Sequence, residues 1–122
     1  MILVDTSVWI DHFRNGNARL EELLMNSEVT IHPFIIGELA CGSMKNRKEI
    51  LSLLDELPSA TIAEHEEVLK LIEERKLFGK GMGLIDAHLV ASALISKTGL
   101  LTMDKTLEKV AALLDIKPAK SR

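Results

Sequence analysis

The chain has 122 residues, a size that predicts one domain spanning residues 1–122 with a single functional site. Its 47% hydrophobic and 27% charged residues predict a folded globular protein and exclude a disordered one. The formal net charge of −3 excludes a general attraction for nucleic acid, so any contact with nucleic acid must be local. The 3% aromatic content excludes a base-stacking platform of the kind used by single-strand binding modules, which argues against a passive RNA-binding role.

The predicted elements alternate between short strands and amphipathic helices. Short apolar runs bounded by turn residues indicate the strands, and apolar residues at helical spacing indicate the helices. In chain order, we predict a strand at 2–4, helices at 8–14 and 19–25, a strand at 29–32, helices at 33–44 and 48–57, a strand at 60–62, helices at 64–77 and 84–95, a strand at 100–102, a helix at 107–114 and an edge strand at Ile116. The alternation predicts the α/β class, with a central parallel sheet of four to five strands covered by helices on both faces.

Two segments have no predicted regular structure. The stretch 78–83 has three glycines in six residues and predicts a loop, and residues 117–122 resemble a loose tail. Lys76 and Lys80 lie at that loop. They are candidates for a phosphate contact, although solvated surface lysines are the simpler interpretation.

Neither membrane insertion nor export is indicated. The apolar runs are short, with no more than five residues, far fewer than the roughly 20 needed to cross a bilayer. The single cysteine, Cys41, cannot form an internal disulfide. We expect it to be a small buried side chain, because nothing near it in sequence would activate its thiol as a nucleophile. The predicted compartment is therefore the cytoplasm.

Two predicted strands end in the same chemistry. Asp5 directly follows the strand at 2–4, and Asp104 comes just after the strand at 100–102. Because ligands of open α/β sheets bind outside the carboxyl ends of the strands, both side chains should face one crevice. The alternative for each is a helix N-cap, a common role for Asp.

Two further acids, Glu38 and Asp86, lie among apolar residues near the starts of predicted helices. A charge there is costly unless it is paired or bound to a cation, although Glu38 alone also fits an ordinary helix surface. If all four acids meet, each pair at about 5 Å repels by roughly 3 kcal/mol. A divalent cation would relieve this repulsion, and an all-oxygen ligand set favours Mg²⁺ or Mn²⁺ over zinc. Such a site suits hydrolysis of a phosphodiester.

Other chemistry is less well supported by the sequence. The histidines, His12, His32, His65 and His88, lack the paired spacing of a zinc site, so none is assigned to a metal. A phosphatase using Asp5 as a covalent nucleophile usually has a second Asp two positions later, where this chain has Ser7. A non-catalytic interaction domain, whose acids are caps and surface charges, stays open as a third interpretation.

Four segments in this order resemble those of PIN-domain ribonucleases, and among them the VapC-type toxins of toxin-antitoxin pairs. They are Ile2 to Ile10 with Asp5, the helix with Glu38, the stretch Gly83 to Ala91 with Asp86, and Leu101 to Asp104. The resemblance runs from residue 2 to about residue 115. It implies a compact α/β/α sandwich and cleavage within structured RNA such as transfer RNA.

The resemblance also implies a site and partners. Asp5, Asp86 and Asp104 would be ligands of Mg²⁺ or Mn²⁺, and Glu38 a ligand directly or through water. The hydroxyls of Ser7 and Thr102 would form hydrogen bonds near these acids. The expected partners are an RNA substrate, a second copy of the chain in a homodimer, and a small antitoxin protein whose tail blocks the cleft.

Overall fold

A computed structural model describes residues 1–118. Its elements follow in order as β1 (Ile2–Val4), α1 (Thr6–Asn15), α2 (Ala18–Met25), β2 (Val29–Thr30), α3 (Pro33–Ala40), α4 (Arg47–Asp55), α5 (His65–Glu74), α6 (Leu84–Ser96), β3 (Gly99–Leu101) and α7 (Lys105–Leu113). The seven helices were all predicted, with shifts at their ends. The α/β class is confirmed, and the predicted loop at 78–83 lies between α5 and α6.

The sheet is parallel, with strand order β2-β1-β3. Ile2 is in register with Val29 on one side and with Gly99 on the other. The strand β1 is central because it pairs with both other strands, and its side chains Leu3 and Val4 are fully buried. Since the chain first adds a strand to one side of β1 and later to the other, the carboxyl ends of β1 and β3 form a switch point, where a crevice opens.

The sheet has three strands, so the prediction of four to five strands was wrong. The predicted strand at 60–62 does not form, and only an isolated bridge joins Ile31 to Ser59. The strand does not form because backbone amides of this segment donate hydrogen bonds to serine side chains of α6. Thr61 N donates to Ser96 Oγ at 2.8 Å and Ala63 N to Ser92 Oγ at 3.4 Å. The segment therefore runs along α6 and leaves the sheet.

At the other border of the sheet, beside β3, the next segment also forms only an isolated bridge. The predicted edge strand at Ile116 is also wrong, because a single bridge joins Leu100 to Pro118. Here Leu100 N donates to the carbonyl oxygen of Lys117 at 2.9 Å. Proline has no N–H, so this segment makes no regular ladder. Of the predicted loose tail, residues 119–122 lie outside the described residues.

Most buried apolar side chains form one cluster on β1, β2, β3 and the helices around them, with Leu3, Leu20, Ile35, Leu89 and Leu107 completely buried. A smaller cluster joins α5 to α6 through Val68, Ala87 and Ala91. The short side chains on α6 allow α5 to pack closely against it. Among residues 1–118, no helix is both long and apolar enough to cross a bilayer.

Candidate functional site: acidic groups at the carboxyl end of the sheet

Asp5 lies where β1 ends, and its carboxylate is held by two hydroxyl groups. Ser7 Oγ donates to Asp5 Oδ2 at 2.7 Å, and Thr102 Oγ1 donates to the same oxygen at 2.8 Å. Although Asp5 occupies the N-cap position of α1, its side chain makes no capping hydrogen bond. The cap interpretation therefore does not explain this residue, which is 95% buried, with only 5% of its surface exposed.

The hydrogen bonds continue from Asp5 into the segment after β3. Met103 N donates to Ser7 Oγ at 3.0 Å, and Asp104 N donates to Thr102 Oγ1 at 3.0 Å. Asp5 N itself donates to the Leu101 carbonyl at 2.9 Å, which extends the pairing of β1 with β3. Together these bonds fix the two strand ends to each other. The oxygen Oδ1 of Asp5 accepts no side-chain hydrogen bond from residues 1–118.

Asp104 does cap a helix. Its Oδ1 accepts from Leu107 N at 3.0 Å at the start of α7, so the structural role considered for it is present. The side chain is exposed at the crevice. A capping bond uses one of the two carboxylate oxygens, so this bond does not by itself remove Asp104 from the candidate site.

Asp86 lies in the first turn of α6, where the helix dipole favours an anion. Its electrostatic environment is nevertheless unfavourable to charge. Burial, followed by the charges of three other carboxylates, raises the pKa of Asp86 to about 6; these are the carboxylates of Asp5, Asp104 and Glu38. A hydrogen bond from the Gly83 backbone acts in the opposite direction. The other three predicted acids therefore each lie within electrostatic reach of Asp86.

Glu38 is exposed on α3, in agreement with the alternative that it lies on an ordinary helix surface. It is oriented by Thr6, whose Oγ1 donates to Glu38 Oε1 at 2.7 Å. Thr6 was missed as a candidate, although its position directly after Asp5 was the available signal. The contact joins the start of α1 to α3 across the crevice.

The start of α3 is fixed by a buried histidine. His32 Nδ1 accepts from Phe34 N at 3.0 Å, and Pro33 follows as the first residue of the helix. Burial, with a smaller contribution from the charge of His88, lowers the pKa of His32 to about 4. The ring is therefore neutral at ordinary pH, which it must be to accept that hydrogen bond. His32 supports the helix that carries Glu38.

The end of α3 corrects two predictions. The helix stops at Ala40, four residues before the predicted end at Met44. The guanidinium of Arg47 donates to the carbonyl of Ala40 at 3.1 Å from Nε and at 2.7 Å from Nη2, and thereby closes the helix end. Cys41 lies at this end and is exposed, so the expectation of a buried thiol was wrong.

The four acids offer only oxygen donors, which suit a hard divalent cation. Among residues 1–118, no three His, Cys, Asp or Glu side chains are close enough to hold one ion by themselves. Mg²⁺, however, commonly keeps several waters and takes only one or two carboxylates from a protein. The carboxylate of Asp5 and the mutual repulsion at Asp86 fit a hydrated divalent cation, which would neutralise the concentrated negative charge.

Comparisons with known proteins show the family of the chain. The chain matches the PIN domain family over residues 2–113. Ribonuclease VapC32 from two strains of Mycobacterium tuberculosis is 49% identical over 113 residues, which cover 92% of this chain and 91% of the relative. All four acids lie within the region matched to the family.

Two solved structures share the fold. A toxin-antitoxin complex from Klebsiella pneumoniae has a TM-score of 0.66 at 23% identity, covering 85% of this chain and 87% of that one. The structure of FitAB bound to an IR36 DNA fragment has a TM-score of 0.66 at 18% identity, covering 97% and 93%. At these identities the likeness concerns the fold alone.

Proposed function

The chain belongs to the PIN-domain family and is a homologue of VapC ribonucleases, and we propose that it is the toxin of a toxin-antitoxin pair, an endoribonuclease that depends on Mg²⁺ or Mn²⁺. Nucleases of this family generally depend on a divalent metal ion. The observation that carries the proposal is the charge environment of Asp86, which three other carboxylates and burial make unfavourable for an anion. A bound divalent cation would reverse that effect.

Each acid has a proposed role. Asp5, Asp86 and Asp104 would hold the metal ion, and Glu38 would contact it directly or through water. When bound, the ion would lower the pKa of a water molecule and neutralise charge on the phosphate. The hydroxyls of Ser7 and Thr102 orient the Asp5 carboxylate through bonds of 2.7 and 2.8 Å, and Thr6 orients Glu38.

The oligomeric state, substrate and partner that we propose are those expected for the family. Residues 1–122 would act as one domain that works as a homodimer in the cytoplasm. The substrate would be structured RNA such as transfer RNA, and a small antitoxin would bind the chain and block its cleft. The exposed thiol of Cys41 suits a reducing compartment.

The test is cleavage of total transfer RNA with and without EDTA. We expect the native chain to cut in the presence of Mn²⁺ or Mg²⁺ and EDTA to abolish cutting. Asp5→Asn and Asp86→Asn should each abolish it. Ser7→Ala or Thr102→Val should lower it by about 10- to 100-fold, because residues that orient a metal ligand commonly have effects of this size.

The matched control is Asp55→Asn, which removes an exposed carboxylate at the end of α4. It should cut RNA like the native chain. Cleavage that persists in EDTA, or full activity of Asp5→Asn, would contradict the metal-ligand assignment. An absence of any cutting by the folded native chain would favour a non-catalytic interaction domain.

A further inference from the structure

A cavity of about 640 Å³ lies beside the acidic site. Its volume falls within the range of about 300–1,000 Å³ that is common for ligand pockets. The walls come from α1, α3, the segment that joins α3 to α4, and α4. The apolar side chains lining it are Ile10, Phe13, Leu39, Met44 and Ile50. None of these residues has a role in the proposed catalytic site.

The cavity adjoins the site at Glu38, which lines the cavity and is also one of the four acids. The carboxylate of Glu38 is held by Thr6 at 2.7 Å, next to Asp5 in the chain. An RNA strand whose phosphate lies at the acidic groups would therefore have its neighbouring nucleotide at the opening of the cavity.

Two cations lie at the cavity, Arg14 at the end of α1 and Lys45 in the segment before α4. Both side chains are exposed, and neither forms an ion pair with another residue in the described part of the chain. Cations without a carboxylate partner are available to phosphate groups. In a chain with a net charge of −3, such a local arrangement is what RNA binding requires.

Resting on the proposed function, we infer that this cavity is a subsite for one unstacked nucleotide of the RNA substrate, next to the phosphate that is cut. The base enters between the apolar walls and contacts the ring of Phe13, and Arg14 and Lys45 bind the adjoining phosphates. Recognition of RNA commonly uses splayed-out bases that stack on aromatic rings. A protein segment would fit the apolar walls alone, whereas the paired cations beside the acidic site favour a polyanion.

The experiment measures binding of fluorescently labelled total transfer RNA to the full chain carrying Asp5→Asn, so that the RNA stays intact. The dissociation constant is followed between about 50 and 200 mM salt. Adding Arg14→Gln and Lys45→Gln should weaken binding at low salt. It should also reduce the slope of log affinity against log salt by about 1.4, or about 0.7 for each lost phosphate contact. Phe13→Leu should weaken binding about 5-fold or more without changing the slope.

The matched control replaces two other exposed lysines, Lys97→Gln and Lys117→Gln, which lie together near Gly99 at the opposite end of β3. This pair removes the same charge and should leave the slope unchanged. An equal loss in the control pair would show a general charge effect and overturn the subsite.

The remaining outcomes separate the subsite from the proposed function. If the native chain cuts RNA but the Arg14→Gln and Lys45→Gln variant binds it with unchanged affinity and slope, the cavity does not take a nucleotide and is left as a groove for protein. If the native chain does not cut RNA and the Asp5→Asn chain does not bind it, both the subsite and the ribonuclease function are wrong.

Discussion

The pKa of Asp86 reflects its burial and the charges of the other three acids near it. Its pKa is raised from 3.8 to about 6, first by burial and then by the charges of Asp5, Asp104 and Glu38. In the folded protein the ionised form is therefore less favourable than in the unfolded chain. Without a cation, Asp86 therefore lowers the free energy of unfolding at every pH at which its carboxyl is ionised.

This shift predicts a pH dependence of stability in EDTA. The contribution of the protonated Asp86 carboxyl to the free energy of unfolding is fully present below its ordinary pKa of 3.8. It is lost as the pH rises through about 6. Asp86→Asn should remove this dependence. At neutral pH we expect the variant to be more stable by about 1–2 kcal/mol, allowing for screening of a half-exposed carboxyl.

Urea denaturation across the acidic to neutral range measures the difference between the two proteins. Asp55→Asn, at an exposed carboxyl on α4, should follow the native curve. An Asp86→Asn variant that is less stable than the native chain at neutral pH in EDTA would show that the carboxylate does not suffer net repulsion.

The first residue of β3, Gly99, has no room for a larger side chain. A Cβ on Gly99 would lie 2.7 Å from Ile2 Cδ1 and 2.8 Å from the backbone oxygen of Lys117. The side chain of Ile2 can move, but that oxygen accepts the hydrogen bond from Leu100 N. The close approach of the Lys117 backbone to β3 therefore requires glycine here.

Gly99→Ala should lower the free energy of unfolding by about 1–3 kcal/mol, the usual cost of forcing an extra methyl group into a packed region. Gly37→Ala is the matched control. Gly37 lies inside α3 with nothing within 4 Å of its added Cβ, so alanine should stabilise the helix by up to about 1 kcal/mol. Thermal or urea unfolding of both variants gives the comparison, and an equal effect of the two would contradict the packing argument.

The sequence predicted the helices, the buried strands and the junctions at which Asp5 and Asp104 follow β1 and β3, because these depend on local periodicity and on the geometry of parallel strands. It did not predict that residues 60–63 leave the sheet and run along α6. That outcome depends on two serines of α6, Ser92 and Ser96, which accept amide hydrogen bonds from more than 28 positions away. Local patterns carry no information about such distant partners.

Residues near the site were missed for the same reason. The exposure of Cys41 follows from the early end of α3, which Arg47 closes from seven positions away. Arg14 and Lys45 lie far apart in the chain, and only the packing of α1 near the α3–α4 segment brings them to one cavity. The role of the four acids in metal binding stays a prediction.

At the scale of the whole molecule, a ligand that binds only the folded state raises the melting temperature. The proposed metal site thus has a signature that does not depend on RNA. At a Mn²⁺ concentration about 100 times the dissociation constant, the gain is about 2.7 kcal/mol. For a chain of 122 residues, each kcal/mol corresponds to about 4 °C.

We therefore expect saturating Mn²⁺ to raise the melting temperature by about 10 °C in the native chain and in Asp55→Asn. The double variant Asp5→Asn with Asp86→Asn should show little or no increase. Calorimetric scans with and without the ion make the measurement. A similar increase in all three proteins would place the ion elsewhere on the surface.

The borders of the small sheet affect how readily copies of the chain associate at high concentration. Each border ends at a single bridge beside a proline, Pro58 next to Ser59 at one side and Pro118 at the other. Pro118 has no amide hydrogen to offer an incoming strand, and at the other border the chain turns to α6 directly after the bridge at Ser59, so a foreign β-segment finds no continuous template at either border. The protein is thereby guarded against the edge-to-edge growth that leads to aggregates.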